Sequence, residues 1–365
     1  MNHAPGPTVR ERYRRALRWS LLLFAMVLVV PLIPYAVAEV ESQIIRPGGT
    51  DLWNTIRQDS AGVGATTQVA GLESNVLINV NGDVWRMFRM NEMIPYTGWL
   101  LLGTLGLITL FFLIRGRIRI DGGRSGKLVP RFSSNQRMIH WFTAGLFVLL
   151  GLTGLVLLYG KLVLIPLLGP EGFAVTASAS KEIHNLFGPL FPFAILGLAL
   201  MFGRGNMFRL IDLKWFLKAG GLFGGHPADS GYYNGGQKSW FWMTVGFGTL
   251  ISISGIALDL PIFGFGRDLM ISALVIHGLV AVVFIAAGLG HIYIGTLGME
   301  GAVESMTSGY VDSNWAAEHH NLWYAEMEKA GMVGVEPNAL EEVKRHDDID
   351  FKGFGSPQSS DSREG

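Results

Sequence analysis

An all-α integral membrane helical bundle is the fold this sequence predicts, on three observations. Only 16% of the 365 residues are charged and 49% are hydrophobic, whereas a soluble domain carries about a quarter charged residues. Six apolar runs, at 19–38, 96–114, 141–160, 185–203, 239–258 and 269–299, are of the length that crosses a bilayer core as a helix. Four histidines, His140, His184, His277 and His291, lie in or at the edges of those runs, where an ionisable side chain is costly and usually functional. Lys+Arg and Asp+Glu balance at 29 each, so no basic field points to nucleic acid as a partner. Cysteine is absent, which excludes disulfides, thiolate iron–sulfur clusters, zinc–cysteine sites and covalently attached haem.

The runs follow one another with loops of alternating charge. Arg10, Arg12, Arg14, Arg15 and Arg18 precede the first run and Ala36-Val37-Ala38 closes it. Residues 1–38 are therefore a signal peptide or an N-terminal transmembrane helix, with cleavage after Ala38 the favoured reading. Either way residue 39 lies outside. Segment 39–95 carries four Lys/Arg against seven Asp/Glu and is extracytoplasmic; within it, 76–80 and 84–88 flank Asn81-Gly82-Asp83 and are expected to pair as a short hairpin. The transmembrane run 96–114 leads to a loop, 115–137, with seven basic residues against Asp121 alone, which is cytoplasmic by the positive-inside rule. Loop 161–183 is balanced and outside, 204–238 has five basic residues against two acidic ones and is inside, and 259–268 is short and outside. A cytoplasmic tail at 300–332 and a charged, Ser- and Gly-rich end at 333–365, expected to be disordered, complete the chain.

His277 and His291 stand 14 residues apart on one apolar run. That spacing is about 40° short of four full turns and rises about 21 Å, so both rings leave one face at opposite depths. The run enters from outside, which makes His277 outer and His291 inner. His140 opens its run at the cytoplasmic side and His184 opens its run at the outer side. Depth therefore pairs His140 with His291 and His184 with His277. A single membrane histidine is commonly satisfied by a hydroxyl or carbonyl on a neighbouring helix; four at matched depths point to ligation. Two bis-histidine sites without cysteine are what non-covalent b-type haem requires, with apolar walls for the porphyrin. Gly145, Gly151, Gly154, Gly188 and Gly278 offer close approach of a ring to the backbone, although such glycines also serve helix packing. Zinc fits less well, because its ligands converge three or four at a point. A proton-relay transporter would carry Asp or Glu in the membrane, and these runs have none.

The segment Gly231-Tyr232-Tyr233-Asn234-Gly235-Gly236-Gln237-Lys238 precedes a membrane run on the inner side. Its amides and glycine-freed backbone N–H groups can hydrogen-bond a carbonyl at the bilayer surface; the bland alternative is an Asn-Gly turn. Together with Arg131-Phe132, Arg137-Met138-Ile139-His140-Trp141-Phe142, Phe241-Trp242, Ile276-His277-Gly278, His291-Ile292-Tyr293 and Trp315-Ala316-Ala317-Glu318-His319-His320 followed by Trp323-Tyr324, this segment resembles the gamma subunit of respiratory formate dehydrogenases, a membrane cytochrome b. The resemblance covers about residues 130–330, and the longer N-terminal half resembles the long form of that subunit.

The resemblance implies a four-helix dihaem cytochrome b domain at 138–299 with one or two extra N-terminal helices. It implies two haem b groups, His140 and His291 on the inner one, His184 and His277 on the outer one. It also implies a quinone site near the inner haem at Asn234, Gly236 and Gln237; Gly235 stands where Ala is expected in the short form. The implied partners are an iron–sulfur beta subunit and a molybdenum- or tungsten-containing alpha subunit, in a bacterial inner membrane with the C-terminus cytoplasmic. This chain itself has no pterin-binding domain and would not oxidise formate. Rival readings are the cytochrome b of a nickel–iron hydrogenase or a thiosulfate-type reductase and, from another class, a haem-free anchor or transporter. His319 and His320 carry no derived role beyond a polar tail.

Overall fold

The computed structural model describes residues 80–221, 229–260 and 265–334. The first apolar run, most of segment 39–95 and the end from residue 335 lie outside the described residues. In chain order the helices are α1 (Val80–Phe88), α2 (Ile94–Arg115), α3 (Ser134–Phe187), α4 (Phe191–Phe202), α5 (Leu210–Leu217), α6 (Gly235–Asp259), α7 (Arg267–Tyr293), α8 (Glu304–Thr307), α9 (Ser313–His319) and α10 (Asn321–Lys329). Two short strands, β1 (Leu128–Pro130) and β2 (Tyr310–Asp312), pair antiparallel with Val129 opposite Val311.

Helices dominate because lipid offers no partner to a backbone N–H or C=O, and a helix satisfies both within itself. Their outward faces are apolar: Leu107 is 70% exposed, Leu113 75% and Leu200 72%, which only a hydrocarbon surround makes favourable. The chain is a multi-pass membrane protein. The apolar stretch Ser134–Phe202 has 69 residues, about 100 Å as a straight helix, far beyond one bilayer. It breaks at Gly169, whose φ of 73° and ψ of 172° belong to a region reserved for glycine, with Pro166 and Pro170 on either side. The two limbs fold back on each other there, Gly160 facing Phe173 and Thr153 reaching His184. The expected outer loop 161–183 is thus a helical hairpin that divides the apolar stretch Ser134–Phe202 into two limbs.

The hairpin expected at 76–88 is corrected. Val80–Phe88 is helical and continues through a π-helical turn, Arg89–Met93, into α2. Trp85 meets Phe88 one turn on, ring centres 6.3 Å apart. An unbroken helix entering the membrane satisfies every backbone group, and that requirement overrides the Asn-Gly turn signal.

The chain divides into two units. The described part of the first comprises residues up to Tyr96, Leu152–Leu190 and Ser252–Gly278. Its contacts include the buried Met93 against Gly278 and the guanidinium of Arg89 donating to the Leu157 carbonyl at 3.4 Å. The second comprises Thr97–Gly151, Phe191–Ile251 and the described residues from Leu279. Its core has two clusters: Ile120, Val129, Val311, Trp315, Trp323 and Met327 around the strand pair, and Phe132, Phe202, Tyr233 and Phe241 beside them. The expected cytoplasmic tail is therefore packed structure up to α10, held by aromatic burial.

Candidate cofactor and substrate sites

In the first unit, α3 beyond its kink presents His184 and the first half of α7 presents His277. Their ring centres are 6.1 Å apart. Thr153 Oγ1 lies 2.9 Å from Nδ1 of His184, and Ser254 Oγ lies 3.1 Å from Nδ1 of His277. Each hydroxyl is followed by a glycine over which the ring lies: a Cβ on Gly154 would stand 3.3 Å from Cε1 of His184, and one on Gly255 3.1 Å from Cε1 of His277. Gly154 was legible as a place of close approach. Thr153, Ser254 and Gly255 were not singled out, although a hydroxyl–glycine step recurring inside two apolar helices was a usable signal.

In the second unit, His140 in the second turn of α3 and His291 near the end of α7 have ring centres 6.3 Å apart. Trp240 of α6 stacks on His291 at 4.5 Å and 10° between planes. Phe284 touches Phe147 and Trp240 and completes an apolar wall. Nδ1 of His140 is buried without a hydrogen-bond partner among the described residues.

Both pairs fit haem. An imidazole nitrogen bonds a first-row metal at about 2.0–2.1 Å, so with each ring centre about 1.1 Å behind its nitrogen, two axial imidazoles on one iron have centres about 6.3 Å apart. The observed 6.1 and 6.3 Å match this value. Nδ1 contacts at His184 and His277 leave Nε2 as the nitrogen for iron. Among the described residues no group of three or more His, Cys, Asp or Glu gathers at one point, which counts against zinc.

The loop before α6 is more firmly built than a ligand-binding loop needs to be. Asn234 caps α6: the Gln237 backbone N–H donates to its Oδ1 at 2.9 Å, and the Asn234 N–H donates to Oε1 of Gln237 at 3.2 Å. This reciprocal cap realises the bland reading of the motif while leaving the Asn234 amide nitrogen as a donor. Gly235 and Gly236 lie under Trp215 of α5, where a Cβ on Gly236 would come 2.7 Å from the indole. The ion pair of Lys238 with Asp212, 2.8 Å long with both side chains 5% exposed, ties α6 to α5. Removing one partner of such a pair costs about 3–5 kcal/mol.

Behind the loop, the fully buried Arg131 guanidinium lies within 4.8–5.3 Å of the ring centres of Phe132, Tyr232, Trp315 and Trp323. It donates to the Tyr232 carbonyl at 2.8 Å and reaches Nε2 of His320 at 3.1 Å and Oε1 of Gln237 at 3.4 Å. Desolvation pulls its pKa down to about 10, which leaves it charged at neutral pH. Nδ1–H of His320 donates to the Gly231 carbonyl at 2.8 Å, so Nε2 is the acceptor for Arg131. Burial and the neighbouring Arg131 push His320 well below the ordinary histidine value, and burial followed by Arg131 pushes His319 down to about 4. Burial raises the phenol of Tyr232 to about 12; its hydroxyl bonds the Arg131 carbonyl. His320, read from sequence as part of a polar tail, is a neutral brace between Gly231 and Arg131, while His319 packs on Trp315.

The family model for prokaryotic cytochrome b561 matches residues 131–309, the stretch that carries all four membrane histidines. The cytochrome b556(fdo) subunit of formate dehydrogenase from Escherichia coli strain K12 is 28% identical over 205 residues, 55% of this chain and 94% of that protein. The nitrate-inducible cytochrome b556(Fdn) subunit of the same strain is 28% identical over 209 residues, 56% of this chain and 94% of its own length. The formate dehydrogenase cytochrome b556 subunit of Haemophilus influenzae is 27% identical over 245 residues, 62% and 95% of the two chains.

Proposed function

From the match of residues 131–309 to the family model for prokaryotic cytochrome b561, we propose that the chain is the membrane cytochrome b of a formate dehydrogenase. In this reading it carries electrons from an iron–sulfur partner subunit to quinone through two b haems, and a separate molybdenum- or tungsten-containing subunit oxidises formate. The observation that carries the proposal is the pair of imidazole–imidazole separations, 6.1 and 6.3 Å, each a spacing at which two histidines would hold one haem iron.

When bound, each haem supplies a one-electron iron couple whose potential the protein sets through ligation, hydrogen bonding and burial. The protein's own groups do the rest. His184 and His277 would hold one group, His140 and His291 the other. Apolar side chains on α3, α6 and α7 exclude water. At the cytoplasmic surface the side-chain amides of Asn234 and Gln237 and the Gly236 backbone N–H receive the quinone carbonyl beside His291. The Arg131 cage and the Lys238–Asp212 pair keep that loop in place. Protons for quinone come from the cytoplasm while electrons enter from outside, so turnover charges the membrane.

Changing His277 to Ala tests the ligand assignment. Pyridine-haemochrome analysis of the purified protein is expected to fall from two b haems to about one. A parent with a single haem refutes the paired-ligand argument. The cytochrome b of a nickel–iron hydrogenase shares the four-helix plan; a hydrogenase large subunit co-purifying with this chain would favour it.

A further inference from the structure

We propose that Thr153 and Ser254 are positioning residues that make the His184–His277 haem the lower-potential of the two. The inference rests on the dihaem reading and deepens it. Both ligands of this pair meet a hydroxyl at Nδ1, at 2.9 Å for His184 and 3.1 Å for His277. Among the described residues no hydroxyl meets a ring nitrogen of the other pair: Nδ1 of His140 is buried without a hydrogen-bond partner there, and the neighbour of the His291 ring is the stacked Trp240.

The difference does not come from a shortage of hydroxyls. Thr143 lies three residues after His140, yet its hydroxyl bonds the Ile139 carbonyl at 2.7 Å and the Ala194 carbonyl at 3.4 Å. In the first unit, by contrast, two hydroxyl–glycine steps on different helices each present the hydroxyl to a ring nitrogen and the bare Cα to the adjoining Cε1. Both rings turn the same edge to the step, with Cε1 nearer than Nδ1 to the place of the missing Cβ. With Nε2 given to iron, Nδ1 is the protonated nitrogen and donates to the hydroxyl, which orients the plane of each ring.

A hydrogen bond from Nδ1–H raises the basicity of the nitrogen opposite. A more basic axial ligand favours ferric over ferrous iron and lowers the potential. Two such bonds on one iron and none on the other order the potentials downhill from the His184–His277 site to the His140–His291 site. By the charge pattern of the loops, that is from the outer side to the quinone side.

The test is an optical redox titration of the intact complex, with total haem measured in parallel. The component missing in His277→Ala identifies the His184–His277 haem. Thr153→Val and Ser254→Ala are expected to raise the midpoint of that component, the double variant more than either, and to leave the other midpoint at its parental value. Thr153→Ser, which keeps the hydroxyl, is expected to retain the parental midpoint. If Thr153→Val does not hold the haem, the Ser254→Ala midpoint decides. Two haems with unmoved midpoints overturn the proposal, as does an upward shift confined to the His140–His291 component or equal shifts in Thr153→Val and Thr153→Ser. A parent chain without two haems fails the dihaem reading itself, a separate result.

Discussion

Asn234 caps α6 and has a second, proposed role, and serine separates the two. Its Oδ1 accepts the Gln237 N–H at 2.9 Å, while in the proposed function its amide nitrogen is the donor to quinone. Serine caps a helix about as well as asparagine, whereas alanine forfeits about 1 kcal/mol. Asn234→Ser therefore retains fold and haem content but removes the amide donor. A hydrogen bond to a group that gains charge contributes about 1.5–3 kcal/mol. At 1.36 kcal/mol per tenfold in rate, its loss slows quinone reduction roughly 10- to 150-fold. The assay is quinone-reductase turnover of membranes containing the full complex, with haem content and thermal stability measured on the same preparations. Asn234→Ala is expected to show the same loss of rate and a lower Tm as well. If serine turns over at the parental rate and only alanine is impaired, Asn234 is a helix cap and nothing more, and the site must be moved.

Acid is expected to loosen the packed region around α9 and α10. Folded His319 titrates at about 4 and His320 well below the ordinary value, but each titrates near 6.5 when unfolded. Between pH 6.5 and about 4 the unfolded form takes up protons that the folded form refuses. Stability is complete above 6.5 and falls with pH by up to about 1.4 kcal/mol per unit and histidine. Hydrogen exchange over residues 313–329, corrected for intrinsic chemistry, should show more frequent opening at pH 5 than at pH 7; identical opening would contradict the neutral-brace assignment. For topology, the absence of native cysteine allows single-cysteine labelling with an impermeant reagent. Ser60→Cys is expected to react in intact cells, and the exposed Lys127→Cys only after permeabilisation; the reverse pattern would exchange the two haem sides.

The membrane character, the apolar helices that carry it and the four histidines that meet in two pairs were all readable from sequence. Each depends on a one-dimensional property: an apolar run sets where a helix crosses, and a histidine within it stands out because its desolvation is costly. The His277–His291 spacing was equally legible, since a helix converts residue number into angle and rise. What surrounds each ligand was not, because it depends on which side chains other helices bring to it. Thr153 is 31 residues from His184 and Ser254 is 23 from His277; only the helical hairpin at Gly169 and the packing of α6 beside α7 bring hydroxyl and ring together. The same holds for Arg131, whose charge read as one more cytoplasmic base. Its cage takes Tyr232 from 101 residues away and His320 from 189, and burial among those rings converts a surface charge into the anchor of the Asn234 loop. The local turn signal at Asn81-Gly82-Asp83 misled for the opposite reason, since a local preference worth about 1 kcal/mol per residue yields to a membrane helix that must satisfy its backbone without water.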